Sequence, residues 1–76
     1  MSGYRLTTLK AAREGAGFTQ DYLAHVANSS LTAVQRLEDT AARTRPFTVT
    51  PEEAARLANA VGTDLDGVGA EWLADV

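Results

Sequence analysis

The chain is predicted to be all-α, one compact domain of five short helices, and three observations lead there. Apolar residues recur at three- and four-residue steps along most of its 76 positions. Glycines and hydroxyl-bearing caps cut that pattern into five pieces. Strand-like alternation of period two never runs to a convincing length, and only the stretch "RPFTVTP" leaves room for a brief extended piece.

Leu6, Leu9, Ala12 and Ala16 give the first helix its apolar stripe, and Gly15 and Gly17 close it. Thr19 is a good N-cap for the second helix, with Gln20 and Asp21 in its first turn and Leu23, Ala24 and Val26 as its expected inner side. Asn28 tolerates the left-handed backbone of a tight turn. Ser29 or Ser30 then caps a third helix with Ala33, Val34 and Leu37 facing inward, so residues 19–39 read as helix, turn, helix. Residues 40–49 form a basic loop in which Pro46 stops any helix. "TPEE" is the clearest helix start in the chain, with Thr50 as N-cap, Pro51 at the first position and Glu53 at the capping-box position. The fourth helix runs over 51–61, with Ala54, Leu57, Ala58 and Val61 inside and Gly62 at its end. A fifth is expected over 64–75 from the spacing of Leu65, Val68, Trp72 and Val76. Gly67 and Gly69 each cost it up to ~1 kcal/mol relative to alanine, so it needs support from packing.

Composition narrows the function. A chain of this size buries only about 60% of the surface it exposes when unfolded, so most apolar residues must serve the core. With no cysteine and one histidine, metal and thiol chemistry are poor prospects, and no metal or cofactor is expected. The first residues lack an apolar run of signal-peptide length, and nothing approaches the ~20 apolar residues of a membrane span. A soluble protein of the cytoplasm is expected. The net charge of −3 argues against a polyanion partner, but the charge is divided. Up to Arg45, six basic residues face four acidic ones, a balance of +2; from Pro46 onward Arg56 alone faces six acidic residues, a balance of −5. One end suits a polyanion and the other repels it.

"FTQDYLA", a tight turn, "LTAVQRLE", a basic loop and "LANAVGTDLDGV" together resemble the helix-turn-helix domain of phage repressors and Cro proteins, the lambda-repressor-like or XRE-like family. The likeness covers about Leu6 to Val68. It implies a regulator, a repressor or Cro-like protein of a phage or bacterium, that binds double-stranded DNA as a two-fold dimer with its third helix in the major groove. Two departures stand out: 46–62 is longer than usual, and Ser29 occupies a turn position that is commonly apolar.

The resemblance places Leu31, Thr32, Gln35 and Arg36 among the base readers. Arg36 suits guanine O6 and N7, Gln35 suits adenine N6 and N7, and Leu31 has only a thymine methyl to read. Two of them have a plainer alternative: Leu31 packing within the protein or on a protein partner, and Arg36 lying solvated or ion-paired on the surface. Gln20, Ser30, Arg43, Thr44 and Arg45 match positions that hold the DNA backbone. Arg13 and Glu38 match a pair that in some relatives forms a buried, structural ion pair. His25 is expected on the surface.

No convergent nucleophile, base or metal set is visible, so an enzyme is set aside. A helix-turn-helix module that binds a partner protein, as an antitoxin does, is the alternative function, and the acidic second half would suit a basic partner. A single recognition helix covers few base pairs, so a homodimer is expected at least on DNA. Trp72, Leu73 and Val76 of the fifth helix are its expected interface.

Overall fold

A computed structural model describes residues 2–39 and 47–74. In chain order they form strand β1 (Gly3–Leu6), helices α1 (Leu9–Gly15), α2 (Gln20–Val26), α3 (Leu31–Glu38) and α4 (Pro51–Ala60), a 3-10 turn at Asp66–Val68 and strand β2 (Ala70–Leu73). The expectation of an all-α, five-helix domain is therefore corrected: both ends of the described chain are extended and pair with each other.

β1 and β2 are antiparallel in the register Gly3↔Leu73, Tyr4↔Trp72, Arg5↔Glu71 and Leu6↔Ala70. Val49 bridges the other side of β1, where Tyr4 N–H donates to Val49 O at 2.9 Å and Val49 N–H donates to Tyr4 O at 3.0 Å. This is the brief extended piece the loop left room for. Gly3 permits the approach, since a Cβ there would lie 2.8 Å from Val49 O.

The first helix starts at Leu9 rather than Leu6 because Leu6, read as the top of a helical stripe, is the buried last residue of β1. The fifth helix over 64–75 fails at its glycines. Asp64 Oδ1 accepts from Gly67 N–H at 3.0 Å, one turn of 3-10 helix follows, and Gly69 ends it in the left-handed region at φ 66°. Ala70–Leu73 then leaves as a strand, its pairing reinforced where Thr7 and Thr8 N–H donate to the carbonyls of Gly69 and Val68, each at 3.1 Å. The helical spacing of Leu65 and Val68 was one genuine turn, and Trp72 fell into step with it by coincidence.

Gly69→Ala is expected to destabilise the fold by about 1 to 2 kcal/mol, the cost of a Cβ in left-handed backbone. That Cβ would also meet the hydroxyl of Thr7 and, at 3.0 Å, the backbone nitrogen of Thr8. Urea denaturation checks this, and an unchanged midpoint would remove Gly69 as the cause of the helix-to-strand switch.

The core is a single cluster in which Leu6, Leu9, Leu23, Val34, Leu57 and Val68 are all but fully buried, with Ala24, Ala27, Leu37, Val49, Ala54 and Ala58 around them. Val26, expected inside, is 42% exposed, and Ala27 takes its place. One turn of helix separates Ala27 from Leu23, whereas Val26 points to the flank.

Candidate functional site

The second and third helices are built by local chemistry. Thr19 caps α2, its hydroxyl accepting from Tyr22 N–H at 3.1 Å, and Ser30 caps α3, accepting from Ala33 N–H at 3.0 Å. Between them Asn28 adopts φ 54°, the one left-handed non-glycine among the described residues. Ser29 N–H reaches back to Ala24 O at 2.8 Å, closing the turn. Ala24, only 4% exposed, has no side chain beyond Cβ to hold the helices apart.

Packing commits one side of α3 and leaves the other open. Ala33, Val34 and Leu37 are buried, while Leu31, Thr32, Gln35 and Arg36 are exposed. At 100° per residue those four span an arc of about 140° on the side away from the core. Leu31 stands at the first turn of the helix, 39% exposed and packed into no core cluster. The first turn of α3 carries no acidic residue of its own. The Arg36 guanidinium lies 5.9 Å from the centroid of the Phe47 ring, within cation–π range.

The far end of α3 is anchored by charge. Arg13 Nε donates to Glu38 Oε2 at 2.7 Å and Arg13 Nη2 to Glu38 Oε1 at 3.0 Å, a two-pronged contact between α1 and α3. The remaining Arg13 nitrogen, Nη1, donates to Phe18 O at 2.7 Å, and Gln20 Nε2 donates to Glu38 Oε1 at 3.0 Å. The Arg13 and Glu38 side chains are 10% and 4% exposed. The Arg13 pKa is raised, first by the hydrogen bond to Glu38 and also by the carboxylates of Glu38 and Glu14, against a lowering by burial. Arg13 thus stays charged at any practical pH.

Gln20 and Ser30, matched above to backbone-holding positions, have structural duties. Gln20 spends one amide hydrogen on Glu38 and keeps a second, and Ser30 uses its oxygen as a cap but retains its own O–H. Arg43, Thr44 and Arg45 lie outside the described residues, as does Val76. Trp72 and Leu73 belong to β2 and not to a helix. His25 is exposed on α2.

Three residues matter to this site without having been singled out for it. Phe47 underlies Arg36, though the sequence offers only an aromatic after a proline. Glu53, read as half of a capping box, instead accepts from the Ser29 hydroxyl at 2.6 Å, while Thr50 caps α4 through Glu53 N–H at 3.2 Å. Arg56 Nε donates to Ala27 O at 3.1 Å. Glu53 and Arg56 thus reach from α4 to both sides of Asn28 and fix the turn that sets the angle between α2 and α3. Ser29, a polar departure at a turn position, is what gives Glu53 something to hold.

Among the described residues no group of three or more His, Cys, Asp or Glu side chains is placed to hold a metal ion, and no helix is long and apolar enough to cross a membrane. No family model matches the chain, and neither a curated protein nor a solved structure matches it.

Proposed function

We propose that this chain is a sequence-specific regulator of transcription that binds double-stranded DNA, laying α3 in the major groove. The observation that carries the reading is the open arc of α3. Four side chains able to read base edges project from a helix whose opposite face is committed to the core. Arg36 takes guanine O6 and N7, Gln35 takes adenine N6 and N7, Thr32 offers a hydroxyl and a methyl, and Leu31 packs on a thymine methyl. The free donors of Gln20 and Ser30, at the starts of α2 and α3, serve phosphates, and Arg43, Thr44 and Arg45 supply the rest of the backbone grip. Such a regulator works in the cytoplasm of a bacterial cell, as a repressor or Cro-like protein.

Selection from a pool of random duplexes at two salt concentrations tests the reading. Enrichment of one sequence family, with affinity falling steeply as salt rises, is the expected result. Binding equal for all sequences would sink it.

The Leu31 assignment makes a sharper prediction. Replacing the contacted thymine by uracil removes one methyl group, worth ~0.8 kcal/mol if buried, so affinity is expected to fall about fourfold. Scanning each thymine of the selected site by fluorescence anisotropy measures this, and no loss anywhere would place Leu31 outside the groove.

A second reading, a module that binds a partner protein, draws on Tyr22 and Val26. They stand 51% and 42% exposed on α2 at four-residue spacing, with Phe18 packed edge-on against Tyr22 at 4.8 Å. The apolar surface they expose gains nothing from a phosphate backbone, and the acidic second half favours a basic partner. Random-duplex selection separates the two readings, since a pure protein binder enriches no sequence.

A further inference from the structure

The leading turn of α3 is uncharged and its tip is apolar. Ser30 caps the helix by accepting from Ala33 N–H, so the first side chain to project from the helix proper is Leu31, 39% exposed and outside the core cluster. Thr32 follows it, also exposed, with a methyl beside its hydroxyl. Gln35 and Arg36 stand one turn further back, behind Leu31 and Thr32 respectively. A helix docked by its N-terminal end therefore presents groups that pack on methyls first and hydrogen-bonding groups second.

Carboxylates are missing from this face. None of Leu31, Thr32, Gln35 and Arg36 is acidic, and Glu38, the one acid of α3, is held at the far end by Arg13 and Gln20. Across the turn, Glu53 is engaged by the Ser29 hydroxyl. In the major groove cytosine offers its N4 donor, which a carboxylate accepts, whereas thymine offers O4 and a C5 methyl. The Leu31 side chain has neither donor nor acceptor. It responds to whether a pyrimidine carries a C5 methyl and is blind to the difference between O4 and N4.

5-Methylcytosine carries that methyl on the same ring carbon as thymine. We infer that this chain recognises C5-methylated cytosine in double-stranded DNA, with Leu31 packed on the methyl, so that methylation of its site strengthens binding. The inference rests on the major-groove reading of α3 and adds to it a class of substrate, the methylated duplex, and a means of control. Methylating a cytosine under Leu31 and replacing a thymine there by uracil are one chemical change run in opposite directions. Each is therefore expected to move affinity by about fourfold, the first upward and the second downward.

Parallel selections from one random duplex pool test the inference, one copied with cytosine and the other with 5-methylcytosine. The methylated pool is expected to yield sites with 5-methylcytosine at a position where the unmethylated pool yields thymine. Remaking such a site with plain cytosine is expected to lower affinity about fourfold by fluorescence anisotropy. Leu31→Ala is expected to abolish that difference while keeping the preference at the base pair read by Arg36, and Leu31→Met, which keeps a long apolar side chain, is expected to retain it. Circular dichroism checks that both variants keep their helices. If the pools enrich a sequence but methylation of no cytosine raises affinity, or if Leu31→Ala leaves the methyl effect intact, the inference is overturned and the major-groove reading stands. Enrichment in neither pool would overturn both.

Discussion

Arg13→Ala is expected to lower the unfolding free energy by about 3 to 5 kcal/mol, the cost of leaving a buried charge without its partner. The stranded group is the carboxylate of Glu38, 4% exposed, which loses both guanidinium contacts and keeps only the Gln20 amide. Phe18 O loses its donor as well. Domains have margins of only 5 to 15 kcal/mol, so a loss of this size removes a large share of the stability. Urea titration of the two proteins measures the loss. A cost under about 1 kcal/mol would mean that the pair behaves as an exposed ion pair does.

The same chemistry separates stability from specificity. A buried pair replaced on both sides by apolar groups often costs little, but here Phe18 O and Gln20 Nε2 would still be left without partners. The double variant Arg13→Leu with Glu38→Leu should therefore cost less than the sum of the single changes yet remain clearly destabilised. The pair fixes the C-terminal end of α3 against α1, while Glu53 and Arg56 fix the turn before its N-terminal end. The candidate reading helix is held at both ends by groups that do not belong to its reading face.

What was legible in the sequence was whatever short-range chemistry decides. Thr19, Ser30 and Thr50 cap because a hydroxyl just before a helix satisfies an amide three residues on, and Asn28 turns because its side chain tolerates positive φ. The stripe Ala33, Val34 and Leu37 follows from helical period alone. The sheet was not legible, because β1 and β2 are four residues each and their partners lie 64 to 70 positions apart. No local window contains that pairing, and four residues are too few to distinguish alternation from helical spacing. The glycines that weaken a helix over 64–75 were visible, but that Gly69 begins a strand depends on Thr7 and Thr8 waiting at the other end of the chain. For the candidate site the outward arc of α3 was legible. The contacts of Phe47, Glu53 and Arg56 were not, since each joins residues brought together only by the fold.

Arg36→Ala is expected to weaken binding to the selected DNA site by about 1 to 3 kcal/mol and to abolish preference at one base pair, while leaving affinity for random DNA much less affected. The geometry favours a large effect. Arg36 projects from the second turn of α3, and the Phe47 ring at 5.9 Å restrains its guanidinium, so less side-chain freedom is lost on docking. Among the other arginines of the described residues, Arg5 is paired with Glu71, Arg13 with Glu38 and Arg56 with Ala27 O. None of them stands ready to replace a lost reader. Arg43→Ala or Arg45→Ala is expected to behave differently, weakening every sequence alike and reducing the slope of log K against log salt by about one unit. Titrating the variants against selected and random duplexes at two salt concentrations resolves the two patterns. Equal losses on both duplexes for Arg36→Ala would make it a phosphate contact, leaving Leu31, Thr32 and Gln35 to carry all the sequence discrimination of α3.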